Sequence, residues 1–260
     1  LSGLTCDGLS YGEEITIDEF TFKIIRSGHM LGSGQLVMEN GFKLIYSGDL
    51  NLRGGLTSGA ADTENSEILI VETTYGSPYY RFPKREEVIK EIKDWVGDAL
   101  LKGKTPCLLA YSIGKAQELT KYLSKDYTVK THPAVYSNNR KYEMLGVSLG
   151  EYHLFDGEFD GGSVVILPPY ASKMEGEGLL KARVTGWAVN RWAHYGVDAA
   201  FPLSDHSDFD DLIEYVETVD PQVVYTVHGF CEEFSRELRE RGFYSEPVMK
   251  KDQLKIDDFI

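Results

Sequence analysis

Glu67-Ile68-Leu69-Ile70-Val71-Glu72-Thr73-Thr74-Tyr75-Gly76 sets a nearly unbroken apolar run against a carboxylate and a polar turn. A short run of this kind, closed by turn formers, is the pattern of a strand buried on both faces. In α/β proteins, groups that bind ligands collect at the carboxyl ends of such strands, and Glu72 stands at that end. Upstream, Phe20–Ile25 alternates, and Gln35–Glu39, Asn40-Gly41 and Phe42–Tyr46 predict a hairpin on a two-residue primed turn. Downstream of Pro83 the period changes. Val88, Ile92, Trp95, Val96 and Ala99 share one helical face, and Gly103 stops it. Cys107–Ala110 reads as a strand and Lys115–Ser124 as a helix with Ala116, Leu119 and Leu123 inward. Val164–Leu167 is another buried strand, closed by Pro168-Pro169. The last part alternates again: strand Ala199–Leu203, helix Asp208–Val219, strand Val223–Val227, and helix Glu232–Arg241 ended by Gly242. This alternation predicts an α/β protein.

The 260 residues suffice for one large domain or two modest ones. Lys and Arg number 27 against 41 Asp and Glu, a net charge of −14. That balance excludes a general nucleic-acid coat, so any polynucleotide contact has to come from a local basic patch. No apolar run approaches the roughly 20 residues of a membrane-spanning helix, and no membrane partner is expected. Cys6, Cys107 and Cys231 lie far apart with no CxxC pair, which excludes a disulfide scaffold and a thiolate zinc finger and suits a reducing, cytoplasmic setting. The chain starts at Leu1, and Leu1–Tyr11 has no signal-peptide pattern.

Five chemically capable side chains stand where strands end: His29 in Ser27-Gly28-His29-Met30, Asp49 in Tyr46-Ser47-Gly48-Asp49, Glu72, His206 in Ser204-Asp205-His206-Ser207, and His228 in Val227-His228-Gly229. Imidazoles and carboxylates converging there suit a hard-to-borderline metal, with zinc the leading candidate. Each also has a plainer reading. A histidine at a strand end is often a hydrogen-bonded packing residue, and Asp49 alone could be a turn former or cap. Ser207 and Asp208 read as the N-terminal cap of the following helix, with Asp205 partly so. His132, His153 and His194 have no matching frame and read as surface or packing residues.

As an ordered set, Ser27–Leu36, Tyr46–Gly55, Val71–Pro78, Ser112–Leu119, Gly196–Leu212 and Val224–Gly229 resemble the β-CASP nucleases of the metallo-β-lactamase fold. The likeness is to their prokaryotic exonuclease-like branch, that of mRNA 3′-end processing factors or DNA-ligase-associated exonucleases. It implies a metallo-β-lactamase-like β-sandwich flanked by helices, incomplete at the N-terminus, with an inserted α/β β-CASP domain. Residues 1–72 and 199–260 would form the first part and 73–198 the insert. The implied activity is zinc-dependent hydrolysis of phosphodiesters in RNA or DNA, of RNA-processing or exonuclease type, with two zinc ions in a complete site. By the same resemblance His29, Asp49 and His228 are metal ligands, Asp49 bridging. Glu72 and His206 form a hydrogen-bonded pair, and His206 protonates the leaving oxygen. Two close cations stabilise charge growing on phosphate, and a neighbouring carboxylate keeps the imidazole proton available.

The family's His-x-His-x-Asp-His string, which should precede His29, is absent. A fragment, a naturally shortened non-cleaving homologue, or a sheet completed by a second chain or copy would each account for this. In all three the chain alone should be nearly inactive. The rival reading is a non-catalytic nucleic-acid-binding or scaffold homologue that has lost its metals. For substrate, Lys130–Lys141 carries three cations and no acid. Lys173–Arg191 carries Lys173, Lys181, Arg183 and Arg191 against Glu175 and Glu177, with Trp187 among them. Lys173, Arg183, Arg191 and Trp187 are the candidate contacts for a single-stranded nucleic acid, because bases stack on rings while phosphates meet cations. A core tryptophan and a solvated charged face are the alternative, and Lys115–Leu119 could equally belong to an ordinary surface helix.

Overall fold

The computed structural model describes residues 8–189 and 196–248. It begins as a meander of β1 (Glu14–Ile17), β2 (Phe20–Arg26), β3 (Gly34–Glu39) and β4 (Lys43–Tyr46), each antiparallel to the last. The buried strand β5 (Ile68–Glu72) then joins β4 in parallel. After it come α1 (Arg85–Leu101), β6 (Thr105–Leu109), α2 (Lys115–Leu123), β7 (Val129–Thr131) and α3 (Pro133–Met144). These are followed by β8 (His153–Leu154), β9 (Val164–Leu167), β10 (Leu179–Val184) and β11 (Ala199–Phe201). The chain closes with α4 (Phe209–Val219), β12 (Val223–Val227), α5 (Cys231–Glu240) and β13 (Ser245–Pro247).

The first sheet has seven strands in the order β1-β2-β3-β4-β5-β12-β13. Ile25, Val37, Ile45, Leu69, Val71 and Val224 pack against Phe209, Leu212, Val216 and Val219 of α4 and Phe234 and Leu238 of α5. These contacts bury one face only. On the other face Leu36 and Tyr46 are paired across β3 and β4 and partly exposed, and Ile17 is 55% exposed. The described residues therefore supply one helix-flanked sheet layer here, in keeping with the expected metallo-β-lactamase-like sandwich that is incomplete at the N-terminus, with the α/β unit inserted. The expected two-residue turn is also longer. Glu39 pairs with Lys43, leaving three loop residues with Gly41 at φ +67°. The buried pair Val37 and Ile45 sets this register, and a one-residue slip would turn both outward.

The second sheet is parallel throughout, with six strands in the order β11-β10-β6-β9-β7-β8. Val88, Ile92 and Val96 of α1 and Ala116, Leu119 and Leu123 of α2 fill one of its faces. Phe155 closes part of the other with Cys107, Leu109, Val165 and Leu167. Two sequence expectations change here. Ala199–Phe201 pairs with β10, so the strand assigned to the return segment belongs to the sheet of the insert. And α2 is no surface helix. Lys115, Gln117, Glu118 and Thr120 are buried with its apolar residues, and each has a polar partner.

Phe209 is buried at the start of α4, its ring edge-on to Phe234 at 5.9 Å. Phe209→Ala should destabilise the fold by about 3–5 kcal/mol in urea unfolding. Tyr46→Ala, on the open face, should cost no more than about 1 kcal/mol.

Candidate functional site

Glu72, the last residue of β5, is 2% exposed, and polar groups surround its carboxylate. Oε1 accepts the Leu50 amide at 3.1 Å and Oε2 the Thr74 amide at 2.7 Å. Nδ1 of His206 donates to Oε1 at 2.8 Å. Burial alone would raise the Glu72 carboxyl, but the His206 hydrogen bond and charge bring it below the ordinary carboxylate range. Burial likewise pulls His206 down, and Glu72, aided by Asp205 and Asp49, overrides it and raises the imidazole. The predicted carboxylate–imidazole pair is therefore formed, and with Nδ1 engaged it is Nε2 of His206 that is free for chemistry.

His29 follows β2 on a loop that needs Gly28. Gly28 has φ +77°, and a Cβ there would strike the Asn51 carbonyl. His29 Nδ1 donates to the Asp205 carbonyl at 2.9 Å, which leaves Nε2 with its lone pair facing Asp49 Oδ2 at 3.8 Å. The rings of His29 and His206 lie 4.5 Å apart. Among the described residues, one donor atom each from His29, Asp49 and His206 fall within 4.8 Å of one another. Of these, His29 Nε2 and the Asp49 carboxylate are donor types that suit zinc, whose ligand atoms stand about 2 Å from the ion, and His206 lies beside them.

His228 departs from the expectation. It lies one residue beyond β12, where Val227 is paired with Glu72, so its backbone does reach the site. Its φ is +61°, Thr73 Oγ1 donates to its carbonyl, and the residue is exposed. The imidazole is not part of the three-donor group. Gly229 continues the turn at φ +63°, and a Cβ there would strike the Thr73 carbonyl.

The β11–α4 loop joins the site to the second sheet. Lys115 Nζ, from α2, meets Asp205 Oδ1 at 2.7 Å, both side chains largely buried. Burial alone would raise the Asp205 carboxyl, but Lys115, with His29 and His206, holds it down at about 2. Arg85 donates to Glu118 at 2.7 Å and to the Ser204 carbonyl at 2.8 Å. On the other flank, Ser207 Oγ accepts the Leu52 amide at 2.8 Å, and Asp208 caps α4 by accepting the Asp211 amide. The cap reading thus holds for Asp208, whereas Ser207 ties down the Leu50–Leu52 loop. Lys115 was missed because sequence spacing does not reveal a partner 90 residues away.

A cleft of about 510 Å³ runs between the two sheets, lined by Asn51, Phe82, Arg85, Tyr122, Ser204 and His206. Beside it, Tyr75 is buried with its ring 6.0 Å from His206 and 4.6 Å from Trp187. Tyr80 and Phe82 pack on the same ring. Burial raises the Tyr75 hydroxyl well above its ordinary value. Trp187 is 39% exposed, so of the predicted substrate contacts it lies next to the site. Lys173 is exposed in the turn after β9, and Arg183 sits within β10. Arg191 and His194 lie outside the described residues. His132 caps α3, accepting the Ala134 amide on Nδ1, and His153 is exposed beside Glu151, both as surface or packing residues.

A family model described as "Zn-dependent metallo-hydrolase RNA specificity domain" matches residues 199–248. A probable DNA ligase of Opitutus terrae is 38% identical over 239 residues, covering 88% of this chain and 24% of that protein. An RNase J-like protein of Methanocaldococcus jannaschii is 36% identical over 115 residues, covering 43% of this chain and 27% of that protein. The chain thus spans about a quarter of the length of these two curated relatives. A crystal structure of a protein of unknown function from Enterococcus faecalis V583 superposes with a TM-score of 0.64 at 15% identity, covering 95% of this chain and 66% of that one. That likeness shows the fold.

Lys115→Met leaves the Asp205 carboxylate buried without its ammonium and should cost about 3–5 kcal/mol in denaturant unfolding. Because the Asp205 carboxyl is held down at about 2 in the folded chain, its ionisation contributes stability fully above about pH 4, the unfolded value. That contribution is lost as pH falls through about 2. Asp205→Asn should remove this acid limb from stability measured against pH.

Proposed function

The chain belongs to the metallo-β-lactamase-fold β-CASP nuclease family, and from that premise we propose that its His29–Asp49–His206 cluster is part of a site for hydrolysing phosphodiesters of single-stranded RNA or DNA, nearly inactive in this chain alone because the His-x-His-x-Asp-His ligands are absent from it. The observation that carries this reading is the Glu72–His206 pair seated against that cluster. Zinc, when bound, would polarise a phosphate oxygen and make a water nucleophilic near neutral pH. His29, its Nδ1 tied to the Asp205 carbonyl, would hold the ion through Nε2 together with Asp49. His206 has the other task. Its raised imidazole favours the protonated form, which has no lone pair for a metal and a proton on Nε2 for the leaving oxygen. Glu72 supports that form by accepting from Nδ1.

A second reading, a non-catalytic nucleic-acid-binding homologue, is favoured by one observation. The donor group has three members among the described residues, and the Asp49 side chain is 53% exposed.

Elemental analysis of the zinc-equilibrated full chain, with cleavage of a labelled single-stranded oligonucleotide, separates the two readings. On the first, His29→Ala and Asp49→Asn lose zinc. His206→Ala keeps it while slowing the residual cleavage by about 10²–10⁴-fold. Loss of zinc in His206→Ala would overturn the acid role. Oligonucleotide binding with no zinc in the wild type would favour the second reading. The sign of the pH effect follows from the same pair. His206 is raised, so cleavage should persist to higher pH than an ordinary imidazole allows and fall as the ring deprotonates. Glu72→Gln should move that alkaline limb to lower pH in a pH–rate profile.

A further inference from the structure

The five strands β11-β10-β6-β9-β7 are parallel neighbours, so their carboxyl ends open on one edge. β11 leads to His206. The next three ends lead in turn to Trp187, Tyr111 and Tyr170. All three rings are open to solvent, at 39%, 63% and 71% exposure. Each also has support. Trp187 packs on Tyr75 at 4.6 Å and Tyr80 at 5.2 Å. The ring of Tyr111 lies 5.6 Å from Lys115 Nζ, the cation that grips Asp205. Tyr170 meets the edge of His132, from the end of β7, at 5.8 Å, and Lys173 is exposed three residues beyond it. Exposed aromatics are costly to leave in water, and a braced row of them on adjacent strands is a platform.

We infer that Trp187, Tyr111 and Tyr170 form a base-stacking track that carries a single-stranded nucleic acid away from His206, each ring taking one base. The inference rests on the reading of His206 as the point where a phosphodiester is cut, and adds the subsites that hold the strand beside it. Neighbouring strands stand about 4.8 Å apart, against the roughly 3.4 Å rise of a stacked duplex strand. Bases over adjacent strand ends are therefore splayed from one another, as a single strand permits and a duplex does not. Stacking also explains how a chain of net charge −14 binds a polyanion. Ring contacts are indifferent to phosphate repulsion, and Lys173 meets the backbone at the far end of the row.

The test is fluorescence anisotropy on the full chain in chelator, so that binding is read without cleavage. The probes are a labelled uridine octamer, an octamer of the same backbone with abasic spacers, and a duplex octamer. Tyr111→Ala and Tyr170→Ala should each weaken uridine-octamer binding about tenfold, and the double variant about a hundredfold. Tyr111→Phe and Tyr170→Phe should bind as the wild type does, since the ring is kept. The abasic and duplex probes should bind weakly and equally to the wild type and the double variant. Both tyrosines are mostly exposed, and circular dichroism melts verify that the variants fold. Wild-type binding in the double variant, equal affinity for abasic and uridine octamers, or no binding by the wild type would each overturn the track. The hydrolase reading is judged separately by zinc content and the His206→Ala cleavage rate. Either can therefore fail while the other stands.

Discussion

The buried ion pair between Lys115 and Asp205 is the interaction on which the arrangement of the site depends. An ammonium and a carboxylate taken out of water are costly apart and tolerable only in close contact, so each restricts the other to one position. Lys115 opens a helix of the second sheet, and Asp205 stands in the loop that leads back to the first. Locking them together fixes that loop. The Asp205 carbonyl then points at His29 Nδ1 and leaves Nε2 toward Asp49, while the next residue, His206, reaches Glu72. One electrostatic contact thus sets the tautomer of one histidine and the partner of another, which is the role outer groups play around metal ligands.

The two sheets contribute in different ways. In the first, β4, β5 and β12 are parallel neighbours that end near Asp49, Glu72 and His228, so strand order brings residues distant in sequence to one edge. In the second, β11 contributes His206 and the loop that carries it. The site lies where these edges meet, and Arg85, Ser207 and Asp208 stitch the meeting line with hydrogen bonds to Ser204, Leu52 and Phe82. Buried polar groups along this seam are satisfied by groups from the opposite side. A change on one sheet is therefore felt on the other.

Much of this was legible in the sequence. The apolar run ending on Glu72 identified a buried strand, and strand-end polar residues pointed to His29, Asp49 and His206, which the structure brings together. Local pattern carries that information because a strand announces itself within a few residues. What was illegible depends on distant partners. The polar residues of α2 look like a solvated face until Asp205, Arg85 and Asn139 are seen against them. Ala199–Phe201 reads as a strand, but nothing in it says which sheet it joins. His228 has the right spacing from the end of β12, yet a left-handed turn held by Thr73 leaves it outside the donor group. Tyr111 and Tyr170 are single aromatics in unrelated loops until the strand order makes them neighbours.

Tyr75 shows how the same packing serves both stability and chemistry. Its ring fills the space between His206 and Trp187, and Gly186 lies so close to its hydroxyl that no side chain fits there. The hydroxyl is held neutral by burial, so it adds no charge to compete with Glu72 for the His206 proton. The ring also excludes water from one side of the imidazole, which strengthens the Glu72–His206 hydrogen bond in the lower local dielectric. The same ring braces Trp187 from behind, so the first ring of the aromatic row is held at a set distance from His206. A side chain that neither ionises nor meets solvent thereby couples the placement of Trp187 to that of His206.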